Sequence, residues 1–196
     1  MKLQSLLLAL AFTLTIPAAR AQTGVYINPI AIHISNSTRD TSSFAFLGQN
    51  STAQWFYGAS IGGYYEVTHT PKLDLGLDIR DMIVNGNSAV LNSFLAGARI
   101  AGHPSKYGVR PYLEPVVGVG TSRSALNPLH YSKLQYGVFA GLDYPIHRHV
   151  DFRAIEVGYG SVLTVNGLNF QGVLYPSSQL ITISSGLVFR FQTPSP

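Results

Sequence analysis

From residue 24 onward apolar and polar residues alternate along the chain. This is the period-two repeat of a strand whose two faces meet different surroundings. Residues 73 to 80 are typical: Leu73, Leu75, Leu77 and Ile79 interleave with Asp74, Gly76, Asp78 and Arg80. The 3.6-residue period of an amphipathic helix is missing, while β-branched, aromatic and glycine residues recur in runs of roughly ten. The pattern predicts eight strands, near residues 24–34, 54–68, 72–84, 89–102, 109–122, 133–146, 150–163 and 179–191.

Short and long connections take turns between these strands. THTPKL, GHPSKYG and HRH are tight, whereas SNSTRDTSSFAFLGQNSTAQ, SRSALNPLHYS and TVNGLNFQGVLYPSS are long, and NGNS is the short member of the second set. An up-and-down barrel in an outer membrane has this asymmetry, with brief periplasmic turns and longer external loops. Three turns and four loops then leave both chain ends on the periplasmic side.

Alternation also sorts the faces. Tyr57, Ala59, Ile61, Tyr65 and Val67 oppose Gly58, Ser60, Gly62, Tyr64 and Glu66. Phe94, Ala96, Ala98 and Ile100 oppose Gly97 and Arg99, and Leu113, Val117 and Val119 oppose Glu114, Gly118 and Gly120. Leu134, Tyr136, Val138, Ala140, Leu142 and Tyr144 oppose Gln135, Gly137, Phe139, Gly141 and Asp143, and Ile155, Val157 and Tyr159 oppose Ala154, Glu156 and Gly158. A soluble sandwich or lipocalin-like cup would turn the apolar face inward and the charges outward. With the apolar face toward lipid, Glu66, Asp78, Glu114, Asp143 and Glu156 can instead meet Arg80, Arg99 and Arg190 in a narrow lumen. The expected fold class is therefore all-β, an eight-stranded antiparallel up-and-down transmembrane β-barrel.

The closing segment QLITISSGLVFRF fits this reading: Ile181, Ile183, Leu187, Phe189 and Phe191 would face lipid, and Arg190 the lumen. Here the chain resembles the small eight-stranded outer-membrane barrels of the outer-membrane protein A and X kind. GLDYPIHRHVDFRAIEVGYG, residues 141 to 160, looks like the sixth and seventh strands of barrel-domain proteins of the porin family. The resemblance implies that a terminal aromatic, here Phe191, is read by the barrel-insertion machinery, although QTPSP follows it.

Composition adds the route and excludes several partners. MKLQSLLLALAFTLTIPAARAQ carries Lys2, an apolar run from Leu6 to Ile16, Pro17 and an Ala19-Arg20-Ala21 cleavage pattern, so residues 1–21 read as a signal peptide and 22–196 as the barrel domain. The whole chain has 13 basic and 9 acidic residues; without Lys2 and Arg20 the balance is 11 against 9, or +2. No basic run or stripe remains, so nucleic acid is not an expected partner. Zero cysteines exclude disulfides, thiolate metal sites and a cysteine nucleophile.

Four candidate sites can be weighed. His33 and Ser35 echo the His-x-Ser pair of lipid A deacylases, which are also small barrels, and would need a carboxylate beside them. Their place at the end of strand one suits a turn better, and no catalytic residue is assigned. His69, His103, His147 and His149 fall at the short turns, where rim polarity is the simpler reading, and no metal or other cofactor is expected. The pairs Gly118-x-Gly120 and Gly158-x-Gly160 precede no helix, so they form no phosphate cradle. The lumen charges are read as a salt-bridged plug, because eight strands enclose a space that side chains fill.

The expected function is non-enzymatic. A rigid barrel in outer-membrane lipid would present long loops for adhesion, surface structure or a surface ligand, with Phe44, Phe46, Leu47, Trp55 and Phe56 in or beside loop one and Leu168, Phe170, Val173, Leu174 and Tyr175 in loop four. A small porin-like channel is the alternative, and a lipid-modifying enzyme the third reading.

Overall fold

The computed structural model describes residues 22–37, 39, 45–48, 51–163 and 177–192. The segment read as a signal peptide lies outside them, as do Phe44 and the apolar residues of loop four. Eight strands follow in order: β1 (Gln22–Asn36), β2 (Ala53–His69), β3 (Leu73–Gly86), β4 (Ala89–Gly102), β5 (Arg110–Arg123), β6 (His130–His147), β7 (Val150–Leu163) and β8 (Ser177–Gln192). Every expected strand is present, its ends shifted by three residues at most. Each pairs antiparallel with its sequence neighbours, and β8 pairs with β1 to close the barrel. Closure leaves no free edge, so backbone groups find partners within the wall.

The register fixes how the strands lean. Partners followed once around lead from Tyr26 to Gly62, Arg80, Leu95, Gly118, Gln135, Val162, Ser178 and back to Asn36. The path returns ten residues further along β1 (36 − 26 = 10), so the strands are staggered and tilted. Both described chain ends lie at the rim that carries the turns 70–72, 103–109 and 148–149; the opposite rim carries 87–88, 124–129, the described residues between β1 and β2, the end of β7 and the start of β8. We call these the turn end and the loop end. The second loop is as short as the sequence suggested because Asn87 and Ser88 both take positive φ, 47° and 66°. Those are the angles of a two-residue type I′ hairpin, whose twist matches the flanking strands.

Two departures from simple alternation shape the interior. In β7 an extra residue sits between Arg153 and Glu156, which face Gly186 and Ser184 of β8. This bulge turns Ala154 to the outer face, correcting its expected inward place, and lets Arg153 point inward beside Glu156. The second departure is that only the turn-end part of the lumen is charged. Toward the loop end it is an apolar core of Ile30, Ile32, Ile34, Phe56, Met82, Val84, Leu91, Leu95, Val162 and Leu180. Loop one dips into that core. Phe46 stacks on Phe56 with ring centres 5.3 Å apart, Leu47 is buried beside it, and the Ser124 hydroxyl donates to the Ala45 carbonyl at 2.9 Å. A polar lumen throughout is thus replaced by two layers, the upper one held by burial at roughly 1.5–3 kcal/mol for each large apolar side chain.

Candidate functional site: the filled lumen

The charged layer is built around three arginines: Arg80 of β3 and Arg99 of β4, delivered by period-two alternation, and Arg153 of β7, turned inward ahead of the bulge. Arg80 reaches Asp78 at 3.2 Å and Glu156 at 3.1 Å, and also pairs with Glu114. Arg99 pairs with Glu114 as well and with Asp143 at 2.9 Å. Arg153 joins Asp143 at 3.0 Å to Glu156 at 3.2 Å. Each carboxylate except Asp78 therefore spans two guanidiniums, and Asp78 instead accepts the Tyr26 hydroxyl at 2.9 Å. All seven charged side chains are buried, an arrangement that is tolerable only because every charge has partners of the opposite sign.

Three tyrosines pave the layer. Tyr112 donates to Glu156 at 2.7 Å, the Arg99 guanidinium lies 3.9 Å from its ring centre and 4.3 Å from that of Tyr64, and Arg153 lies 4.4 Å from the Tyr26 ring. Each of these rings lies across from a glycine on the neighbouring strand: Tyr26 from Gly62, Tyr64 from Gly24 and Tyr112 from Gly141. A Cβ on Gly141 would fall 2.3 Å from the Tyr112 hydroxyl oxygen, so the ring needs the missing side chain.

A second group closes the turn end. Arg110 bridges Glu66 at 3.2 Å and Asp74 at 3.1 Å, His103 Nε2 lies 3.3 Å from Asp74, and Arg190 meets Asp151 at 2.8 Å. The eight charged residues singled out in the sequence thus divide: Asp78, Arg80, Arg99, Glu114, Asp143 and Glu156 meet in the central layer, while Glu66 and Arg190 belong to this lower rim. Four partners were missing from that set. Arg110 and Asp74 share the inward parity of Glu114 and Asp78 and could have been read from it; Arg153 and Asp151 precede the β7 bulge, on the opposite parity from Glu156. In all, Glu66, Asp74, Asp78, Glu114, Asp143, Asp151 and Glu156 lie inside with Arg80, Arg99, Arg110, Arg153 and Arg190, seven of the chain's nine acids.

Little space remains. A pocket between Leu95, Phe139 and Leu180, over paired Gly137 and Gly160, holds about 10 Å³, the scale of a single water. On the outer face, Ile181, Ile183, Leu187, Phe189 and Phe191 of β8 are all exposed, along with Leu77, Ile79 and Tyr159. Trp55 stacks near Tyr57 at the loop end, ring centres 6.4 Å apart, and the His33 ring packs 5.1 Å from Trp55. The wall positions beside His33 and Ser35 are Trp55, Ala53, Ile181 and Gln179, none of them a carboxylate.

An apolar girdle around a closed wall, with ion-paired charges inside, defines a small eight-stranded transmembrane β-barrel. Among solved structures, the chain is similar to Neisserial surface protein A, with 15% identity, 86% of this chain and 97% of that one covered, and a TM-score of 0.61. It also matches the attachment invasion locus protein of Yersinia pestis (11% identity, 87% and 99% covered, TM-score 0.48) and the outer membrane protein OprG of Pseudomonas aeruginosa (13%, 87% and 96%, TM-score 0.42). No protein-family model matches the sequence, and no curated protein does.

Proposed function

We propose that the protein is a non-enzymatic outer-membrane protein whose barrel is a sealed scaffold, with the loop end outside the cell and both chain ends in the periplasm. The observation that carries this reading is the filled lumen: an ion-paired layer below and an apolar layer plugged by Phe46 and Leu47 above. A porin-like channel needs a continuous wet path, and an enzyme of the His-Ser type needs a carboxylate where His33 instead meets Trp55. What a sealed barrel can still offer a partner is its loops, and surface loops on a rigid scaffold commonly carry function. Adhesion or capture of a surface ligand through loops one and four follows from that placement. Biogenesis would use the barrel-insertion machinery, with Phe191 on the outer face of the closing strand.

An epitope placed in loop four tests the topology. It should be labelled by antibody on intact cells, while one added after Pro196 should be labelled only after the outer membrane is opened. The reverse pattern would overturn the orientation. Replacing loop four by a short turn, and the residues of loop one on either side of 45–48 by Gly-Ser, should then abolish ligand capture and keep the barrel, since the Phe46 and Leu47 plug stays in place; capture that survives both replacements would overturn the role given to the loops.

A further inference from the structure

Asp81 breaks the rule that governs the rest of the outer face. It lies in the middle of β3 with its side chain on the lipid side, between Ile79 and Ile83 along the strand and across from Ile61 and Phe94. Those four neighbours are all exposed apolar side chains, and Asp81 has neither hydrogen bond nor ion pair among the described residues. On the same face Asn85 marks the polar end of the strand, four residues away. At a rise of ~3.4 Å per residue and a tilt of ~40°, Asp81 lies about 10 Å deeper, near the middle of an apolar band ~25 Å tall. Headgroups do not reach that depth, so a lipid supplies no donor there. An ionisable group placed so deep marks a contact with another membrane-embedded group.

The surroundings are shaped for close approach. Gly63 leaves a depression of about 290 Å³ on the outer wall, bordered by Val25, Ile61, Ile79, Phe94 and Asp81. Ala59, Ala96 and Ala98 around it are also small and outward-facing. Small residues let two membrane-embedded surfaces come near each other.

We propose that this face pairs with the same face of a second copy of the chain, Asp81 against Asp81, in the plane of the membrane. The inference rests on the outer-membrane reading above. Two copies inserted with the same orientation bring Asp81 to the same depth, and a two-fold axis along the membrane normal sets the two carboxyls opposite each other. Such an axis demands a self-complementary group. A carboxyl that carries its proton is both donor and acceptor, and two facing carboxyls can share one proton. A partner with a basic residue would satisfy Asp81 as well, but it would have to be a different protein matched in depth; the second copy is matched by construction.

The chain has no cysteine, so Lys106→Cys at an exposed turn gives one dye per molecule. Photobleaching steps are counted in lipid vesicles at low protein density. The labelled protein is expected to bleach mainly in two steps. Asp81→Leu should bleach in one step while keeping its heat-dependent gel mobility, because it removes a polar group from lipid and leaves the barrel intact. Asp81→Asn should keep two steps, since a carboxamide also donates and accepts. One-step bleaching of the parent protein, or two-step bleaching of Asp81→Leu, would overturn the pairing. Loss of two-step bleaching in Asp81→Asn would overturn its hydrogen-bonded basis. A parent protein that shows no heat-dependent mobility and does not enter vesicles would overturn the membrane reading and the pairing with it.

Discussion

Arg80→Ala is the most informative single change in the barrel. The side chain is fully buried and joins Asp78, Glu114 and Glu156, with its guanidinium 4.0 Å from the Phe139 ring centre. Its removal does not strand all three acids equally. Glu114 keeps Arg99, and Glu156 keeps Arg153 and the Tyr112 hydroxyl, whereas Asp78 is left with Tyr26 alone. The central layer goes from three arginines against four acids to two against four. One carboxylate is effectively orphaned in the lumen, which is expected to cost ~3–5 kcal/mol. A Coulomb estimate agrees, since a pair about 4 Å apart at an effective dielectric near 20 is worth ~4 kcal/mol. Urea unfolding from lipid vesicles, followed by the gel shift between folded and boiled protein, reads the loss directly. Lys72→Ala at an exposed turn is the control and should stay within about 0.5 kcal/mol of the parent. If Arg80→Ala matched that control, the lumen charges would not be holding the barrel together.

Other changes separate the layers. Tyr112→Phe removes a hydrogen bond to a buried carboxylate and should cost ~1.5–3 kcal/mol in the same unfolding assay. Gly141→Ala should cost ~1–3 kcal/mol, because the new methyl meets the Tyr112 ring, and the same substitution should cost less in a Tyr112→Ala background. Phe46→Ala should lower stability by ~3–5 kcal/mol if the plug unfolds together with the barrel, and its bilayer conductance should stay at baseline because the ion-paired layer beneath still fills the lumen. Ile79→Arg, on the exposed outer face of β3 next to the mid-membrane Asp81, should cost ~2–4 kcal/mol in a bilayer and far less in a detergent that adapts to the added charge.

Much of this architecture is legible in the amino-acid sequence, for a physical reason. A transmembrane strand must show lipid one face and the lumen the other, so β3 spells out its orientation as Leu73, Leu75, Leu77 and Ile79 against Asp74, Gly76, Asp78 and Arg80. The same logic of short and long connections puts both described chain ends at the rim of the short turns. Where the reading stopped, the repeat stopped too. The β7 bulge inserts one residue, so parity counted from Glu156 puts Ala154 inside and hides Arg153. The apolar upper lumen is not legible from parity, because Ile30, Ile32 and Ile34 lie on the inward parity of β1 and face an apolar layer, so apolar character marks both faces there. Phe46 and Leu47 were visible as apolar loop residues, but nothing local says that a loop folds back into its own barrel. Asp81 carried a signal that parity alone supplies: it follows Arg80 directly and therefore points outward, an acid in a row of isoleucines.

A full barrel passes no ions, and the direct measurement is current across a planar lipid bilayer containing protein whose gel mobility shows it folded. The filled lumen predicts a trace at the lipid baseline, with no discrete steps at any protein density. Reproducible conductance steps that scale with inserted protein and disappear on boiling would contradict it, and would make the lumen charges the lining of an ion path.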